Sequence, residues 1–89
     1  MPNQTEGTDR RLLIIDDDYD FANSLAELLV LQDYRVAVSH TAEEACRILQ
    51  ADPTQVALLD IRLGERSGTN LISEFKAIQP DLICIMVTA

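Results

Sequence analysis

Two hydrophobic periods alternate along this chain, and that alternation constrains its fold more than any other feature. Short apolar runs at Leu12–Ile15, Val56–Leu59 and Leu82–Val87 are continuous, the pattern of strands covered on both faces. Between the first two, Tyr34, Val36 and Val38 alternate with Arg35, Ala37 and Ser39, as a strand at a sheet edge would. The intervening segments carry helical spacing. Phe21, Leu25, Leu28 and Leu29 share one face of a helix running to about Leu31, with Asp18 or Asp20 suited to its N-terminus. Thr41 followed by Glu44 is a capping-box pattern; Ala45, Ile48 and Leu49 supply the next apolar face, and Asp52-Pro53 stops it. Leu71, Ile72, Phe75 and Ile78 mark a third helix, which Pro80 ends. Strand, helix, strand, helix, strand, helix, strand predicts an α/β fold with right-handed crossovers: a doubly wound parallel sheet with helices on both faces.

At 89 residues the chain has room for one core and one domain. Its 7 Lys and Arg against 15 Asp and Glu give a net charge of -8, which disfavours direct binding of nucleic acid. The apolar runs are too short to span a bilayer and the N-terminus lacks the basic and apolar regions of a secretion signal, so a cytoplasmic location is the simplest expectation. Cys46 and Cys84 each lie in an apolar pattern and read as buried, reduced thiols. Residues 1–9 are polar and aperiodic, a flexible tail, and the domain begins near Arg10.

In a doubly wound sheet, ligands sit at the carboxyl ends of the strands. That rule selects Asp16 and Asp17 after the first strand, Asp60 after the third and Thr88 after the fourth. Three carboxylates converging on one edge repel one another, and a divalent cation relieves the repulsion. Carboxylate oxygens with retained waters suit Mg²⁺, which also bridges phosphoryl groups, and a carboxylate at such a site can itself become an aspartyl phosphate.

These residues resemble the receiver domain of two-component response regulators. Leu12-Leu13-Ile14-Ile15-Asp16-Asp17, Leu58-Leu59-Asp60, Gly68 eight residues beyond Asp60, and Val87-Thr88-Ala89 carry the resemblance, which runs from about Arg11 to the end. It implies the flavodoxin-like strand order 2-1-3-4-5, an order that comes by analogy with the family and not from periodicity. By the same resemblance, Asp60 accepts a phosphoryl group from a histidine kinase or a histidine phosphotransfer protein. Asp17 and Asp60 then hold Mg²⁺ directly, Asp16 acts through water, and the backbone carbonyl of Arg62 completes the protein ligands. Thr88 turns its hydroxyl to the phosphoryl oxygen, and the small Ala89 leaves room for it. An effector domain, DNA-binding or signalling, is expected downstream.

The chain departs from that family at Gly64, where a proline is usual, and in stopping before a fifth strand that ends in a lysine and before two further helices. Four strands and three helices of an expected five and five are present, so residues 10–89 read as an incomplete receiver. The isolated chain is accordingly expected to be phosphorylated weakly or not at all. Residues Ile83 to Val87 have the pattern of an interior strand, and an open edge there implies a missing neighbour, a dimer or a domain swap.

Competing readings are specific enough to weigh. Asp16, Asp18, Asp20 and Glu27 match positions 1, 3, 5 and 12 of a calcium-binding EF-hand loop, but Phe21 stands where the turn needs glycine and a strand precedes it. Asp16-Asp17-Asp18 also resembles the nucleophile motif of haloacid-dehalogenase-like phosphatases, in which Asp16 would be phosphorylated. A receiver-like binding module that is never phosphorylated is the third alternative. His40 reads as a solvated loop residue, Glu43 and Glu44 as an exposed first turn, and Arg66 as a loop cation; Arg62, two residues past Asp60, could touch the site.

Overall fold

The computed structural model describes residues 10–60 and 68–87. The flexible-tail reading of residues 1–9 and the roles assigned to Arg62, Gly64, Arg66, Thr88 and Ala89 concern positions outside the described residues. Seven elements follow one another: β1 (Arg11–Ile15), α1 (Tyr19–Val30), β2 (Arg35–Ser39), α2 (Ala42–Ala51), β3 (Val56–Asp60), α3 (Gly68–Ile78) and β4 (Ile83–Val87).

The strands form one parallel sheet in the order β2-β1-β3-β4. Leu13 of β1 lies beside Ala37 of β2 and Ala57 of β3, and Ala57 lies beside Cys84 of β4. Because side chains alternate along a strand, this register sorts the sheet into two faces. One face joins Leu13, Ile15, Ala57 and Leu59 to Ala42, Ala45 and Leu49 of α2 and to Leu71 and Phe75 of α3. The other joins Leu12 and Ile14 to Ala22 of α1, with Val36, Val38, Val56 and Leu58 packed around them. The doubly wound prediction holds: α1 covers one face, α2 and α3 the other. β1, central and buried on both sides, is the continuous apolar run of the sequence.

Local chemistry explains the element ends. Asp18 caps α1, its side chain accepting from the Phe21 N–H at 3.1 Å. At the other end Tyr34 N–H reaches the Leu29 carbonyl at 3.2 Å and Asp33 N–H reaches Val30 at 3.0 Å. This is the Schellman pattern, and it places Asp33 in the left-handed region at φ 69°. The α2 cap is as read from the sequence, with Glu44 N–H bonded to Thr41 Oγ1 at 3.1 Å. Gln79 then ties three elements together: its side chain donates to the carbonyls of Leu49 and Asp52, both at 2.7 Å, and accepts from Thr54 N–H at 2.9 Å.

One helix face differs from the expectation. Ala22, Leu25, Ala26 and Leu29 of α1 face the sheet, while Phe21 and Leu28 are exposed. The face is turned by one residue, because two alanines let the helix backbone approach the sheet more closely than Phe21 would. Cys46 and Cys84 form no disulfide and are half-buried rather than buried.

Candidate functional site

The site lies at the carboxyl edge of the sheet, at the ends of β1 and β3. Ile15 pairs with Leu59, so the next residue on each strand, Asp16 and Asp60, emerges side by side. Adjacent strands run about 4.8 Å apart. Asp17 follows Asp16, and the three side chains offer carboxylate oxygens that all lie within 4.8 Å of one another. Asp16 is buried, Asp60 half-buried and Asp17 exposed, which gives a graded site open on one side.

The Asp16 carboxyl is held in place from below, accepting from Asp18 N–H at 2.9 Å. Burial pushes its pKa above the ordinary value; the Asp18 N–H opposes this, while the charge of Asp60, a hydrogen bond shared with it and the charge of Asp17 add to it. Two carboxylates at this separation, both ionised, repel by on the order of 3 kcal/mol at an effective dielectric of about 20. The donor set therefore fits a hard divalent cation: oxygen only, partly desolvated, with three carboxylates close together.

β2 supplies a neighbour that the sequence reading placed in solvent. Asp16 N–H donates to Ser39 O at 3.1 Å, the last rung between β1 and β2. Beyond it His40 Nδ1 lies 2.9 Å from the Asp16 carbonyl, and the imidazole stacks on Tyr19 with ring centroids 3.7 Å apart and planes 19° apart. Glu44 is likewise not a free surface acid. It accepts from His40 N–H at 3.0 Å, and that bond is the main cause holding its carboxyl below the ordinary value. Ser39 is fully buried, and its hydroxyl has no hydrogen-bond partner among the described residues.

So the structure brings together Asp16, Asp17 and Asp60 as the strand-end rule requires, whereas Thr88 and Arg62 lie outside the described residues. His40 and Tyr19 are the additions. No local signal marks them, since His40 meets Asp16 from 24 residues away in sequence and Tyr19 reaches the site only by stacking on His40.

An acidic cluster at the carboxyl edge of a doubly wound parallel sheet defines a class of ligand-binding α/β domain, and comparison with known proteins gives the family. The response regulator receiver domain family matches residues 12–89, and the chain belongs to it. A response regulator receiver protein of Anaeromyxobacter sp. (strain Fw109-5) is 34% identical over 90% of this chain and 34% of its own length. The photosynthetic apparatus regulatory protein RegA of Cereibacter sphaeroides is 29% identical over 92% of this chain and 45% of its own. The chain thus spans less than half the length of the curated relatives it matches, from 18% to 45%.

Solved structures agree. A response regulator of Burkholderia pseudomallei, crystallised with a phosphorylated aspartic acid, a calcium ion and citrate, superposes with a TM-score of 0.84 at 34% identity, covering 90% of this chain and 47% of that one. The response regulator TrrA of Thermotoga maritima, in complex with Mg²⁺-BeF, gives 0.80 at 26% identity over 90% and 70%. The four-stranded parallel sheet with three helices is the receiver fold, and receiver domains of two-component response regulators are signalling domains.

Proposed function

We propose that this domain takes a phosphoryl group on Asp60 from the phosphohistidine of a histidine kinase or a histidine phosphotransfer protein. The observation that carries the reading is the convergence of Asp16, Asp17 and Asp60 at one strand edge, with ligand atoms within 4.8 Å. A phosphorylated aspartic acid in the Burkholderia relative and Mg²⁺-BeF in the Thermotoga relative support the same chemistry here.

Asp17 and Asp60 would hold Mg²⁺ directly, Asp16 through water, and the Arg62 backbone carbonyl would complete the protein ligands. When bound, the ion neutralises charge on the phosphoryl oxygens and on the carboxylates around them. Asp60 supplies the attacking oxygen: its bond to phosphorus forms as the bond from phosphorus to the imidazole nitrogen of the donor breaks. Asp16, held by Asp18 N–H, keeps the floor of the site polar and fixed. The Thr88 hydroxyl would then meet a phosphoryl oxygen, with Ala89 leaving space. The product adds about -1.5 to -2 charge beside Asp16 and Asp17, enough to bias a two-state surface that a partner reads. The domain acts on no external substrate; its chemistry is its own phosphorylation and dephosphorylation.

The acidic surface and the lack, among the described residues, of a helix long and apolar enough to cross a membrane fit a cytoplasmic signalling module without direct nucleic-acid contact. Relatives such as the transcriptional regulatory protein GlrR of Escherichia coli, of which the matched stretch is 18%, support an effector domain elsewhere in the full protein.

Incubation with acetyl phosphate and Mg²⁺, in a chain continued through the family's lysine-bearing fifth strand, should add the mass of one phosphoryl group. EDTA should abolish the addition, and so should Asp60→Asn. An equal addition in Asp60→Asn would refute the assignment.

A further inference from the structure

His40 is the one histidine of the chain, and its surroundings leave little freedom. Past the Asp16–Ser39 rung, α2 turns the chain away from β1, and the Asp16 carbonyl would lose its partner. His40 Nδ1 stands 2.9 Å from that oxygen. A carbonyl only accepts, so the proton is on Nδ1. The ring and the backbone that carries it are each held by a further contact. Tyr19, the first residue of α1, stacks on it at 3.7 Å, and Glu44 takes the His40 backbone N–H at 3.0 Å.

The Asp16 carbonyl belongs to the planar peptide unit that leads into Asp17. Fixing that plane restricts the direction in which Asp17 leaves the strand. Asp16 itself is buried and bonded to Asp18 N–H; Asp17 is the exposed member of the cluster. Its aim follows the backbone that carries it.

We propose that His40 is a positioning residue for the acidic cluster: its Nδ1–H, braced by Tyr19, holds the Asp16–Asp17 peptide so that the Asp17 carboxylate faces a divalent cation shared with Asp60. The inference rests on the reading of the cluster as a cation site. Outer partners of metal ligands typically contribute about 10–100-fold in affinity, and an exposed ligand on a three-acid turn is where such support has most effect.

The test uses the 89-residue chain and Mn²⁺ alone, titrated by electron paramagnetic resonance, with Mg²⁺ in competition. His40→Ala should weaken Mn²⁺ binding by about tenfold or more. His40→Asn, whose amide can present a donor near the Nδ1 position, should recover most of the loss; His40→Gln, with its donor one bond farther out, should not. Rescue by Asn alone is a result that a general packing role would not give. In the wild-type chain, long-range ¹H–¹⁵N correlation at mildly alkaline pH should show the Nδ1–H tautomer without any metal, which keeps the inference testable even where His40→Ala fails to fold. Wild-type binding with equal affinity in His40→Ala, or a dominant Nε2–H tautomer, would overturn the positioning role and leave the cation site standing. No Mn²⁺ binding by the wild type at millimolar metal would overturn both.

Discussion

Asp16 is the residue on which the site's electrostatics turn. Its raised pKa means that the folded chain binds this proton more tightly than the unfolded chain does. The stability it contributes is present below the ordinary 3.8 and is lost as pH rises through the folded value. Metal-free Asp16→Asn should therefore melt higher than wild type at neutral pH, the difference shrinking toward acid. Added Mg²⁺ should raise the wild-type melting temperature and have much less effect on the variant. Glu44 has the opposite sign: its lowered pKa gives a contribution present above 4.5 and lost as pH falls through the folded value. Thermal melts of wild type, Asp16→Asn and Glu44→Gln across that range separate the two. Ser39 gives a simpler case. Removing a buried hydroxyl that has no partner among the described residues, at nearly constant volume, should leave Ser39→Ala more stable by about 1 kcal/mol in urea unfolding. The acids were legible in the sequence because strand ends in a parallel sheet are where such groups converge. His40 was not, because its role depends on a ring reaching across to the next strand's carbonyl and finding Tyr19 behind it.

At the scale of elements, the end of α1 shows how a short chain tolerates a local conflict. The Schellman turn places Asp33 at φ 69°, where a side chain with Cβ is disfavoured and glycine is not. Asp33→Gly should stabilise the domain by roughly 0.5–1 kcal/mol, a rise of roughly 2–8 °C in melting temperature; no change or a loss would mean that the aspartate makes a compensating contact. Strand and helix order was readable throughout, since short continuous apolar runs such as Val56–Leu59, bounded by turn residues, stand apart from the helical spacing of Leu71–Ile78. The inward face of α1 was harder to read. Alanine carries little hydrophobic weight in a sequence pattern, yet Ala22 is fully buried and Leu28 is 62% exposed, because close approach of helix to sheet favours the smaller side chain.

For the whole molecule, the sheet order β2-β1-β3-β4 agrees with the order that the family resemblance supplied, which periodicity alone could not have given. It leaves β4 at the edge of the described sheet. Ile83 and Ile85 point to the α1 face but lie beyond the reach of α1, and they are 58% and 46% exposed. A flat apolar edge pairs readily with other strands. The 89-residue chain should therefore self-associate as concentration rises, and Ile83→Lys with Ile85→Lys should suppress this in sedimentation velocity with little change in melting temperature. A strictly monomeric wild type at high concentration would show that the edge is covered.

The central claim is that Asp60, served by Asp16 and Asp17, is the phosphoacceptor. It is tested most directly by locating the phosphoryl group after reaction with acetyl phosphate and Mg²⁺ in the chain continued through the fifth strand. Borohydride reduction converts an aspartyl phosphate to homoserine, and peptide sequencing by mass spectrometry reads the position. Homoserine at residue 60 is the predicted result. Homoserine at residue 16, the outcome a haloacid-dehalogenase-like phosphatase would give, would contradict it.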